Sequence, residues 1–243
     1  MADFDHLIAT RYFRYSIILI AAFATGCASN VTVEGPSIPR PHFDKLPLIV
    51  ALRLPVEFQD FVHEENVLGR ESWTIKLGSS NAKLFTQLFG YMFDNVIVLG
   101  PDDDALDYTF DALVEPKIEG FEFSVPNQSK TDAFVVWIRY RMQVFDSVGT
   151  SASTWTVSAY GKSQAEGLSG EKALQRAAVL AMRDAAALIL LQMDKATNIG
   201  VLADGPIDTG KPDSGEASDG KSVNDEPTVF DIFTIGGIDE VTN

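Results

Sequence analysis

The sequence predicts an α+β sandwich: a mixed, mainly antiparallel sheet of about five strands packed by two helices. Three observations carry this. Leu48 to Leu54 is a nearly continuous apolar run, the pattern of a strand buried on both faces. Long segments between Tyr108 and Ser163 alternate apolar and polar side chains, the period of half-buried antiparallel strands. Two stretches, around Leu84 and from Glu171, repeat apolar residues every three or four positions, the period of helices lying on a sheet.

Composition limits the alternatives. The 243 residues are 46% hydrophobic and 22% charged, which excludes a wholly disordered chain, a collagen-like fibre and a polytopic membrane protein. The length suits one domain of about 150 residues with tails. With 34 acidic and 19 basic side chains the net charge is −15, which argues against nucleic acid as a partner, since phosphate contacts need clustered Lys and Arg. A single cysteine rules out an internal disulfide, and three histidines argue against a His-rich metal site.

Taken in order, residues 1–26 read as a signal peptide. Arg11 and Arg14 precede the apolar run Ser16 to Ala24. As a helix that run rises only about 14 Å, too short for a hydrocarbon core of about 30 Å. Asp3 and Asp5 lie in an unusually long leader, and removing residues 1–26 leaves the net charge unchanged. Residues 27–47 carry Pro36, Pro39, Pro41 and Pro47 with few apolar residues, the composition of an extended, disordered tether; the other reading is an ordered arm packed along the domain. A single domain is expected over 48–200.

Within it, Pro55 closes the first strand, and Trp73, Ile75 and Leu77 alternate as a half-buried strand. Gly78-Ser79-Ser80-Asn81 supplies helix-capping residues, and Leu84, Phe85, Leu88, Phe89 and Met92 form the apolar stripe of a helix of about fourteen residues. Val96 to Leu99 follows as a short buried strand, so that strand, helix and strand suggest a crossover unit. Tyr108 to Val125 alternates around Pro116, which implies an edge or a bulge. Ala133 to Phe145 puts Ile138, Tyr140, Met142 and Val144 on one face and Trp137, Arg139, Arg141 and Gln143 on the other. After the turn at Asp146 to Thr150, Thr154 to Ser163 completes an antiparallel meander. Ser169 caps a last helix through Asp194, whose Leu174, Ala178, Ala181, Ala185 and Leu188 face the sheet.

Residues 201–243 read as an acidic disordered tail. From 203 on they hold ten acidic and two basic side chains, and they end in an apolar segment with Phe230, Ile232, Phe233 and Ile235. That segment either folds back on the domain or adds a strand to a partner or a neighbouring copy.

Reactive chemistry is thin. His42 sits in the Pro-rich segment and His63 beside Glu64 and Glu65, neither in a triad-like pattern. Tyr160-Gly161-Lys162-Ser163 lacks the glycine a phosphate loop needs, since Thr156 stands there. Asp102 to Asp104 lack the Gly and terminal Glu of a calcium loop. No catalytic residue, metal site or cofactor is expected. The feature kept as a partner contact is Trp137, Arg139, Tyr140 and Arg141, residue types that dominate binding hot spots, in an otherwise acidic chain; the other reading is solvent-facing arginines paired with carboxylates across the sheet.

Ala24-Thr25-Gly26-Cys27 resembles the lipobox of bacterial lipoproteins, with Ala24 where a larger aliphatic is usual. The resemblance implies cleavage before Cys27 and acylation of that residue with palmitate-type chains. Ala28, in place of Asp, then implies the outer membrane, with the protein on its periplasmic side. The element order resembles envelope-assembly and ABC-transport auxiliary lipoproteins. This implies a non-enzymatic structural, assembly or accessory component of a cell-envelope complex, with an envelope protein or a second copy as partner. The other reading is a periplasmic module that holds a lipid or apolar ligand between sheet and helix along the Phe-rich segment from Phe58 to Phe93.

Overall fold

A computed structural model describes residues 27–207, apart from 43, 101, 127, 129, 130, 166, 168 and 198. The expected signal peptide and the segment bearing Phe230, Ile232, Phe233 and Ile235 lie outside the described residues. The elements are β1 (Cys27–Thr32), β2 (Leu46–Arg53), one-turn α1 (Val56–Gln59), β3 (Val62–Val67), β4 (Glu71–Lys76), α2 (Gly78–Met92), β5 (Phe93–Leu99), β6 (Ala112–Ser124), β7 (Ala133–Asp146), β8 (Ser151–Gln164) and α3 (Gly170–Thr197). Short 3-10 turns lie at Ala105–Asp107 and Ile199–Asp204.

The expected α+β class holds, but the described strands form two sheets. Five strands run in the order β5-β2-β6-β7-β8 and three in the order β1-β4-β3. In the large sheet β2 is parallel to both β5 and β6, while β6, β7 and β8 form the antiparallel meander. β2 lies second from one edge, with Val50, Ala51 and Leu52 fully buried. Its side chains alternate between the main core and a smaller cluster of Ala51, Leu99, Phe110 and Leu113 on the opposite face. That two-sided burial is why its sequence is continuously apolar. β6 pairs with β2 only from Ala112 to Val114, so Pro116 comes where no β2 ladder needs its missing N–H.

The small sheet corrects two expectations. Residues 27–47 are not a disordered tether. β1 pairs in parallel with β4 from Cys27↔Glu71 to Thr32↔Lys76, and Val31, Val33 and Ile38 are buried. The strand around Trp73 is β4, and it shares no sheet with β5. The parallel partner of β5 is β2, so the crossover unit also encloses the β3–β4 hairpin. The small sheet covers the far half of the β6–β7 core face: the His63 ring lies 4.9 Å from Phe121, and Trp73 lies 5.9 Å from Phe123 and 6.3 Å from Phe134.

α2 begins one turn earlier than its polar residues suggested. Leu77 is the N-cap, with no side-chain cap, and Leu77 and Gly78 both donate their N–H to the Phe61 carbonyl at 3.1 Å. A Cβ on Gly78 would collide with the Gln59 carbonyl, so glycine is needed for this close approach. Ser80 and Asn81 are buried in the first turn and make tertiary bonds instead of caps. The Ser80 hydroxyl donates to the Val33 carbonyl, and Asn81 Oδ1 accepts from Tyr140 Oη at 2.7 Å. α3 is capped as expected, with Lys172 N donating to Ser169 Oγ at 3.3 Å. Its Ala173, Ala177, Ala178, Ala181 and Ala185 are fully buried, and small side chains let it lie close on β8.

The described fold runs past residue 200 and is tied down at its end. Ile199 and Leu202 are buried, and Ile207 N donates to Asp146 Oδ2 at 3.0 Å. Asp146 Oδ1 also accepts from Val148 N at 3.1 Å and Thr150 N at 2.7 Å, which closes the β7–β8 turn. Burial opposes ionisation of this carboxyl. The Thr150, Ile207 and Val148 N–H donors outweigh it and hold the pKa below the ordinary carboxylate value. A depressed folded-state pKa gives stability that is complete above the unfolded value of about 4 and lost as pH falls through the folded one. Asp146→Asn is therefore expected to melt below the parent at pH 7, with the gap closing on acidification below about 4. Paired thermal melts at neutral and acid pH check this.

Candidate functional site

The meander leaves one face of β6, β7 and β8 toward solvent. Register sets what meets there. Trp137 on β7 pairs with Glu122 on β6 and Tyr160 on β8; the next outward position, Arg139, pairs with Gly120 and Ser158. Trp137 is 43% exposed and Tyr160 45%, with ring centroids 5.6 Å apart and planes tilted by 57°. The two rings form one aromatic ledge. Beside it the small neighbours Gly120 and Ser158 leave Arg139 in a shallow groove of about 260 Å³, bounded by Glu122, Trp137 and Tyr160.

The two outward arginines differ. Arg141 is paired with Glu119, the residue bulged out of the β6–β7 ladder between Ile118 and Gly120. Arg139 makes no ion pair among the described residues. Its guanidinium sits in a groove beside exposed aromatic rings, where a carboxylate or carbonyl of a partner meets both a planar fork of donors and an apolar ledge.

Tyr140 is not part of this face, contrary to the expected contact set. It is fully buried, and its hydroxyl is committed to Asn81. Residues 138, 140, 142 and 144 of β7 all point into the core, so Tyr140 and its neighbours Arg139 and Arg141 lie on opposite sides of the sheet. Burial raises the Tyr140 hydroxyl pKa far above that of an ordinary phenol and keeps it a neutral donor. Tyr160, absent from the expected set, takes its place beside Trp137.

The remaining candidates have structural employment. His63 Nε2 lies 3.1 Å from Glu65 and its ring rests on Phe121. Asp103 accepts from Gly100 N at 2.7 Å and Asp104 from Leu106 N at 3.0 Å, so these carboxylates close a turn. The Phe-rich segment packs as core: Phe58 meets Phe85 edge to face at 5.0 Å, and Phe89 lies 6.2 Å from Phe85 and 5.6 Å from Phe93. Among the described residues no three His, Cys, Asp or Glu side chains gather as metal ligands, and no helix is long and apolar enough to cross a membrane.

No family model matches the chain, and no curated protein matches it. Solved structures do resemble it. A Xanthomonas campestris protein of the DUF330 family is 12% identical with a TM-score of 0.45, covering 74% of this chain and 99% of its own. A minor lipoprotein from Acinetobacter baumannii is 14% identical with a TM-score of 0.36, covering 61% of this chain and 92% of its own. The lipoprotein GNA1162 of Neisseria meningitidis is 12% identical with a TM-score of 0.30, covering 60% and 99% respectively.

Proposed function

We propose that this chain is a non-enzymatic, lipid-anchored component of the bacterial cell envelope, acylated at Cys27. It faces the periplasm from the outer membrane and works by holding a protein partner on the Trp137–Tyr160–Arg139 face. The anchor rests on the run Ser16 to Cys27, which joins a short apolar stretch to small residues and the chain's single cysteine. Two or more acyl chains give stable membrane attachment at about 0.8 kcal/mol per buried CH₂.

The observation that carries the partner reading is the aromatic ledge beside a guanidinium that has no ion pair among the described residues. Large, exposed Trp and Tyr rings with such an Arg are the residue types on which interface energy concentrates. The test pairs the anchor with the face. Metabolic labelling with a palmitate analogue is expected to mark the parent and not Cys27→Ser. In-cell crosslinking is expected to recover a partner with the parent and to lose it with Trp137→Ala/Arg139→Glu, while the far-ultraviolet spectrum and melting temperature stay unchanged. A partner recovered equally by both would overturn the assigned face.

A further inference from the structure

One end of the domain is tied to Cys27 without any linker. Cys27 is the first residue of β1, and its Cα stands opposite Glu71 at the start of β4. Two residues on, Ser29 pairs with Trp73, whose ring lies 6.3 Å from Phe134 near the start of β7. Phe134 pairs with Ser163 near the end of β8, and a Cβ on Gly170, the first residue of α3, would stand 3.2 Å from Phe134 and 3.6 Å from Trp73. Further along β1, the Thr32 carbonyl accepts from Gln175 Nε2 at 3.1 Å, deeper along α3. β1 therefore runs inward from this end, and Cys27 lies at its outer limit, roughly 7 Å beyond Ser29 at the strand rise of about 3.3 Å per residue.

The same end gathers the β3–β4 hairpin tip, the segment after β6 and the start of α3. The tip is Leu68-Gly69-Arg70, where Leu68 is 64% exposed and held in the left-handed backbone region at φ 51°. A depression of about 410 Å³ opens there between Trp73, Val125, Pro126, Phe134 and Ala165. Charge at this end is close to balanced: among described residues Arg70, Lys162 and Lys172 stand with Glu65, Glu71, Asp132 and Glu171, in a chain of net charge −15. An acidic domain meets an anionic lipid surface with least repulsion through such an end.

We infer that this end, built from the hairpin tip at Leu68, the entry of β1, the Val125–Pro126 corner and the start of α3, rests on the lipid surface. The inference depends on acylation of Cys27. A flexible tether of twenty residues would leave the domain roughly 25 Å from its anchor on average, free to tumble. Here the first residue of the ladder is the anchored one. β1 cannot be pulled free without exposing Val31 and Val33, both buried. The opposite end, at the Asp146–Thr150 turn, lies about 43 Å away, the length of the fourteen-residue β7.

The test uses the lipidated full chain in vesicles of phosphatidylethanolamine and phosphatidylglycerol, with a fluorophore on Leu68→Cys or on Val148→Cys and quencher-bearing lipid headgroups. Vesicle flotation and palmitate labelling are read on the same samples. The expected result is loss of fluorescence at 68 and none at 148. Inserting twenty Gly and Ser residues after Cys27 is expected to keep flotation and abolish that difference. Flotation with equal quenching at both sites overturns the orientation and leaves the anchor standing. A chain that neither floats nor takes up label overturns the anchor, and the orientation with it.

Discussion

Gly161→Ala is expected to lower stability by about 3 kcal/mol, the upper end of the usual cost of overpacking, and to drop the melting temperature by roughly 10 °C. A Cβ at Gly161 would fall inside the contact radii of the Ala177 carbonyl and the Ala181 nitrogen. Both are backbone atoms in the middle of α3, so neither rotates aside and the helix itself has to lift. That lift is felt along the whole stripe from Ala173 to Ala185, where, Leu174 and Met182 apart, the buried residues are alanines with no side-chain length to follow the retreating sheet. Gly90→Ala supplies the control. Gly90 lies inside α2, and a Cβ added there would meet nothing within 4 Å, so that change is expected to be neutral or stabilising by up to about 1 kcal/mol. Urea denaturation of the three proteins decides the matter. A Gly161→Ala midpoint equal to the parent would mean that α3 does not approach β8 this closely.

The second large effect is expected at Tyr140 and Asn81. Tyr140→Phe removes the donor to Asn81 Oδ1 and leaves a fully buried amide with no protein partner, since Asn81 Nδ2 already has none among the described residues. Orphaning a buried polar group costs about 1–3 kcal/mol. Asn81→Ala strands the Tyr140 hydroxyl in the same way. The double variant removes both partners, so its cost is expected to fall short of the sum of the singles by about 0.5 kcal/mol or more. Full additivity in a double-mutant cycle would show that the bond contributes nothing.

Most of the large sheet was legible because its elements carry strong periods. β2 is continuously apolar, β7 alternates over fourteen residues, and α3 steps by three and four. β3 gave no such signal. Its six residues, Val62 to Val67, expose or half-expose all but the last, so the strand lacks the apolar row by which strands are read. β1 was hidden behind the prolines that follow it, though Val31 and, one residue past its end, Val33 were the trace of a buried face. The face proposed to hold a partner was half legible. Alternation alone separates Trp137, Arg139 and Arg141 from Tyr140. That Tyr160 is the residue beside Trp137 depends on the β7–β8 register, and a shift between Val144 and Phe145 breaks the count from the turn. The close approach at Gly161 needed the path of α3, which no local pattern encodes.

The hydrogen bond from Gln175 to Thr32 joins positions 143 apart in the chain. Synthesis runs from the amino end, so β1 emerges long before β4 and α3, the two elements that seat it. A topology closed by such distant pairings matures late and slowly. During that interval the proposed cleavage before Cys27 would meet a strand not yet seated in its ladder. Once β4 and α3 are in place, the same residue is part of a hydrogen-bonded ladder, so the proposed processing of Cys27 has a natural deadline set by the completion of α3.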